Sequence, residues 1–157
     1  MSILRNFEWW QLVLLVLITG CNNPETGTVP ASGVVTYAGA LVEGAEVAFI
    51  PQDTASDARP ARGTTGSRGE FTINTYFNSK VDARGARPGQ YTVTIRKLAA
   101  PEGMTIDEWQ MASFNDPSSV PSLRSLVPEK YSNMDASGLS ATIEKDGENR
   151  FKFELRD

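Results

Sequence analysis

The chain of 157 residues contains no histidine and one cysteine, Cys21. The first absence removes Ser-His-Asp and Cys-His activation of a nucleophile, together with the commonest ligand for transition metals. The second rules out a disulfide within one molecule. Long apolar runs are scarce too. LVLLVLI at 12–18 is bounded by Glu8 and Gln11 on one side and by Asn22 and Asn23 on the other. It falls short of the roughly 20 residues a spanning helix needs. No lysine–arginine stripe offsets the net charge of −4, which speaks against nucleic acid and gives the body no attraction of its own to anionic lipid. What remains is ordinary: 40% apolar and 22% charged residues describe one globular domain rather than a disordered chain.

The short apolar run fits the h-region of a secretory signal, with Arg5 and the amino terminus as its positive flank and Glu8 as a departure from the pattern. Ile18-Thr19-Gly20-Cys21 follows and resembles a bacterial lipobox. The resemblance implies a diacylglycerol on the Cys21 sulfur, cleavage between Gly20 and Cys21 by signal peptidase II, and acylation of the new amino terminus. Residues 1–20 are then a removed signal peptide. Residues 21–29 are the lipidated cysteine and a polar tether, broken by Pro24 and Gly27. Two or more acyl chains attach a protein stably where one does so only marginally. Asn22 after the cysteine favours the outer membrane, by similarity to enteric sorting, with the domain in the periplasm or outside the cell. With Cys21 committed to lipid, a zinc site of the usual nitrogen or sulfur type has no ligands left.

Beyond the tether, two-residue alternation predicts strands. SGVVTY (32–37) and EVAFIP (46–51) are β-branched or aromatic runs. GEFTINTYF sets Phe71 and Ile73 on one face. QYTVTIRK sets Tyr91, Val93 and Ile95 inward. LSATIEKDGENRFKFEL predicts a hairpin, with Leu139, Ala141 and Ile143 facing the same way as Phe151, Phe153 and Leu155 and with Asp146-Gly147 at the turn. Polar outer faces mark antiparallel sheets wetted on one side. The expected fold is all-β, a seven-strand antiparallel β-sandwich.

One long insertion, 99–138, interrupts this rhythm with Pro101, Pro117, Pro121 and Pro128 and cannot be a central strand. Thr105 followed by Glu108 is a capping-box signal that predicts a short helix from Ile106 to about Ala112. So long a connection either covers a sheet edge or binds something. Its aromatic residues Trp109 and Phe114, with Tyr131, are the candidate partner contacts.

ASGVVTYAGALVEGAEVAFIP, GTTGSRGEFTI and RPGQYTVTI resemble the carboxypeptidase regulatory-like, or transthyretin-like (prealbumin-like), β-sandwich. The likeness extends over 29–157, whose closing stretch is similar to the C-terminal part of many small bacterial lipoproteins. Leu41-Val42 stands where that family usually has Pro-Val, and Gly66-Ser67-Arg68 where it has an aspartate-containing turn. Gly44 and Gly69 are expected to take positive φ, and Pro88-Gly89 to form a type II turn. The resemblance implies a fold and a surface address but no reaction. Transthyretin-like hydrolases of a purine-breakdown product depend on histidines and a closing Tyr-Arg-Gly-Ser, whereas this chain lacks histidine and reads Glu-Leu-Arg-Asp there.

The carboxylates Asp107-Glu108 and Asp135 near Glu129 are the residues a histidine-free hydrolase would use. Capping and solvation account for them better. No Asp-x-Asp-x-Asp-Gly calcium loop is present. The sequence therefore points to a lipid-anchored, non-enzymatic binding or structural module of the cell envelope, with no cofactor or metal. Its partners would be the membrane, through Cys21, and an envelope protein or glycan. A hydrolase using loop carboxylates and an accessory subunit of a larger envelope assembly are the alternatives.

Overall fold

The computed structural model describes residues 26–157, apart from 55, 79 and 80. Gly20 and Cys21 lie outside the described residues. SGVVTY and EVAFIP form β1 (Ser32–Tyr37) and β3 (Glu46–Pro51), with the short β2 (Ala40–Leu41) between them. Then come β4 (Ala61–Thr64), β5 (Glu70–Thr72), β6 (Asn74–Asn78), β7 (Val81–Arg84) and β8 (Gly89–Arg96). The insertion contributes β9 (Leu98–Ala99), helix α1 (Ile106–Asn115), β10 (Arg124–Ser125) and a 3-10 turn (Glu129–Ser132). β11 (Leu139–Ile143) and β12 (Arg150–Leu155) close the chain.

These strands make a β-sandwich. One sheet has the order β11-β8-β3-β4-β6-β7; the other is centred on β1, with β12 on one side and β5 and β2 on the other. β9 and β10 form a separate ribbon. The described pairs are antiparallel with one exception, for β1 and β12 run parallel from Ser32 opposite Arg150 to Tyr37 opposite Leu155.

The core follows from the alternation. Phe71, Ile73, Tyr91, Val93, Ile95, Ala141, Ile143, Phe153 and Leu155 are all buried, as their inward parity requires. Phe49 sits in the middle, its ring centroid 6.2 Å from Phe71, 6.0 Å from Tyr91, 5.5 Å from Phe151 and 6.2 Å from Phe153. Tilted and edge-on pairs of this kind add about 0.5–1.5 kcal/mol each beyond burial. Tyr91 keeps its hydroxyl satisfied inside the protein by donating to the Arg87 carbonyl at 2.7 Å.

Four local expectations are corrected. β11 and β12 are not a hairpin, since β11 pairs with β8 and β12 with β1, in different sheets. Alternation fixes the face a strand buries but not its neighbour. Asn149 holds the corner between them: its side-chain oxygen accepts from the Glu144 amide and its amide nitrogen donates to the Glu144 carbonyl. GEFTINTYF also changes sheets, at Ile73, because β5 pairs with β1 and β6 with β4.

Pro88-Gly89 is not a type II turn. Gly89 has φ of 153° and already opens β8, far from the roughly +80° that turn demands. Gly44 and Gly69 do take positive φ, 67° and 69°.

Finally, residues 26–29, expected to belong to a polar tether, are part of the folded body. Thr26, Thr28 and Val29 are buried, Val29 exchanges backbone hydrogen bonds with Ala86, and Arg87 Nε donates to the Thr26 carbonyl at 3.0 Å. Gly85 makes room for this segment: at φ of 91° it lies where a Cβ would collide with the Val29 carbonyl. The folded body starts by Thr26.

Candidate interaction surface

The strands give the sandwich two poles. Thr26, Arg87 and the 144–149 corner gather at the Gly89 end of β8, because Ile143 pairs with Gly89 and Arg87 holds Thr26. The insertion leaves from the other end, after Arg96. At about 3.3 Å per residue the eight residues of β8 separate the poles by roughly 26 Å.

The insertion divides into a fastened return and a projecting excursion. On the return, Val127, Tyr131 and Ser137 are buried at 5%, 7% and 5% exposure. Tyr131, a candidate contact residue from the sequence, is thus part of the body's packing and not of its surface. The excursion is residues 100–123, whose two ends meet where Ala99 pairs with Arg124.

Helix α1 is defined by its own ends. Thr105 is extended, its hydroxyl accepts from the Glu108 amide at 3.2 Å, and the Glu108 carboxylate accepts from the Thr105 amide at 2.8 Å. The capping box expected from the sequence is present. The bond from the Thr105 backbone foremost, and a second from the Thr105 hydroxyl at 2.9 Å, hold the Glu108 carboxyl below its ordinary value. The helix runs three residues past Ala112 and stops before Pro117, which disfavours a helical Asp116. Asp116 closes it, accepting from the Ser118 hydroxyl at 2.6 Å and the Ser118 amide at 3.0 Å; its carboxyl too is held low, mainly by that hydroxyl.

None of the ten helix residues is buried. Trp109 is half-buried, and its indole nitrogen donates to the Pro121 carbonyl at 2.7 Å, which latches the helix to the excursion's return. Phe114 is 88% exposed and Met111 70%. Trp109 and Phe114 are five residues apart, about 140° around the helix, so they do not form one patch. Met111 and Phe114, three apart, do. Met111 and Ile106 were missed in the sequence, although the spacing of Met111 and Phe114 was there to find.

Charge sharpens the picture. Between Lys97 and Arg124 there is no basic residue, while Glu102, Asp107, Glu108 and Asp116 are acidic. Glu108 is occupied in the cap and is a poor candidate for proton transfer. Among the described residues, no group of three or more histidine, cysteine, aspartate or glutamate side chains could hold a metal ion. No described helix is long and apolar enough to cross a membrane.

No family model, curated protein or solved structure matches this chain. The surface offers an apolar pair on an acidic helix, held out from the sandwich at the pole opposite Thr26.

Proposed function

We propose that this protein is a bacterial envelope lipoprotein, a non-enzymatic binding or structural module held to a membrane by acyl chains on Cys21. The observation that carries the reading is the sequence Ile18-Thr19-Gly20-Cys21 behind a seven-residue apolar run. The start of the folded body by Thr26 supports it, because only residues 22–25 then separate the anchor from the sandwich. Four extended residues reach about 14 Å at most. The domain would ride on its membrane, in the periplasm or outside the cell, with the outer membrane favoured by Asn22. Similarity of the strand and turn sequences to carboxypeptidase regulatory-like domains agrees with a module that stabilises or docks rather than reacts.

Cells fed a labelled fatty acid should label this protein. Cys21→Ser should abolish the label and leave an uncleaved precursor; equal labelling of the variant would sink the reading. A second reading, an accessory subunit of a larger envelope assembly, is favoured by the exposure of Met111 and Phe114. A hydrolase using Asp107 and Glu108 is the least supported, given the capping role of Glu108. Activity lost from Asp107→Asn in a folded protein would revive it.

A further inference from the structure

The anchored reading leaves open what the protein docks to, and the poles of the sandwich narrow the answer. A leash of residues 22–25 keeps the Thr26 end near the lipid, while the excursion begins about 26 Å further along β8. The helix is then free to face away from the membrane. Phe114 and Met111, at 88% and 70% exposure, are the two most exposed large apolar side chains among the described residues. They fill no gap in the sandwich. At 100° per residue, Ile106, Phe114 and Met111 share an arc of about 140°, and Asp107 falls between Phe114 and Met111.

The face is therefore apolar with a carboxylate inside it. Glu102 precedes the helix, Asp116 ends it, and no basic residue lies in its last turn. A helix C-terminus carries partial negative charge, normally balanced by lysine or arginine. Here nothing in the helix balances it.

We infer that α1 is a docking helix whose Ile106–Met111–Phe114 face seats in an apolar groove, rimmed by lysine or arginine, on another envelope protein. The inference rests on the anchored reading for the orientation of the helix. Charge complementarity selects the partner: a second copy would bring acidic α1 against acidic α1, and an anionic lipid surface would be repelled. Trp109 is a positioning residue, since its bond to Pro121 fixes the angle at which the helix is presented. Such docking is that of an amphipathic helix in an apolar groove, read by anchors three or four residues apart, as Met111 and Phe114 are.

The test uses the full chain in its own membranes, with benzoylphenylalanine as a photo-crosslinker in place of Phe114 and, as a control at an exposed position of β6 outside the insertion, of Tyr76. Position 114 should give one discrete protein adduct and position 76 should not. The purified adduct partner should bind the unmodified full chain, and Met111→Ala or Phe114→Ala should each weaken binding about tenfold or more. Glu102→Gln with Asp107→Asn should weaken it by about 3–10-fold and flatten its dependence on salt up to about 0.5 M. These variants should keep the denaturation midpoint of the wild type. An adduct with lipid, with a second copy, or none at all overturns the inference, as does binding that ignores salt and the two neutralising changes. Fatty-acid label on Cys21 is scored in the same cells. Loss of the label with the adduct retained defeats only the anchor; label without the adduct defeats only the docking.

Discussion

Tyr131 and Arg156 are tied by two hydrogen bonds: the tyrosine hydroxyl donates to the Arg156 carbonyl at 3.0 Å and accepts from the Arg156 amide at 2.9 Å. The pair fastens the return of the insertion to the residue after β12. Tyr131→Phe keeps the ring in place and strands both backbone groups. It should cost about 1–3 kcal/mol by urea denaturation. Tyr37→Phe, which removes an exposed bond to Asp157, should cost far less. Equal effects would place Tyr131 outside the packed body.

The two halves of the insertion should respond differently to removal. Ala99 and Arg124 face each other, so residues 100–123 can be replaced by an Asn-Gly turn with the ribbon intact. Loop length enters stability only logarithmically, at about 0.6 kcal/mol per doubling, so this shortening should leave the fold as stable as before or more so, by up to about 2 kcal/mol. Replacing 99–138 instead discards buried Val127 and Tyr131 and should cost at least about 3 kcal/mol. A 100–123 replacement that fails to fold would mean that the excursion is structural.

Adjacent residues of β12 should part company on truncation. Phe153 is 6% exposed and stacks on Phe71 and Phe151, so Phe153→Ala should cost about 3–5 kcal/mol. Lys152 points outward to Glu154, and Lys152→Ala should stay within about half a kcal/mol. Denaturant midpoints decide it.

Acid should unwind α1 before the sandwich. The Glu108 carboxyl is lowered from an ordinary 4.5 by its bonds to Thr105. A depressed carboxyl gives its full contribution above the unfolded value and loses it as pH falls through the folded one. Helical circular dichroism should therefore fall below about pH 4.5. Glu108→Gln, which can still cap but cannot titrate, should remove Glu108's share and leave only that of Asp116. A pH response unchanged in this variant would detach the helix from its cap.

The sequence made the faces legible and left the neighbours obscure. Tyr91, Val93 and Ile95 announce the core by parity alone, since burial on one side is a local property of a strand. Which strand lies beside β11 is not local. The inward parity of Leu139–Ile143 and Phe151–Leu155 suits a hairpin as well as a corner between sheets, and the Asn149 clamp that decides it reads as turn chemistry. Ile73, where a strand leaves one sheet for the other, carries no signal except its own burial. In the insertion, the Thr105–Glu108 cap was legible because it is complete within four residues. The fates of Tyr131 and Phe114 were not, because aromatic character is equally at home in a core and on a docking face.

The parallel pairing of β1 with β12 sets the order in which this protein can be finished. Ser32–Tyr37 leaves the ribosome more than a hundred residues ahead of its lengthwise partner, Arg150–Leu155. Until Arg150–Leu155 arrives, β1 shows one bare edge and the Phe49 cluster lacks two of its rings. Pairings this distant in sequence are slow to form, and unfinished edges invite other chains. Synthesis must therefore deliver the whole domain before any of it is safe, and a chain cut short of β12 would be a hazard rather than a smaller version of the protein.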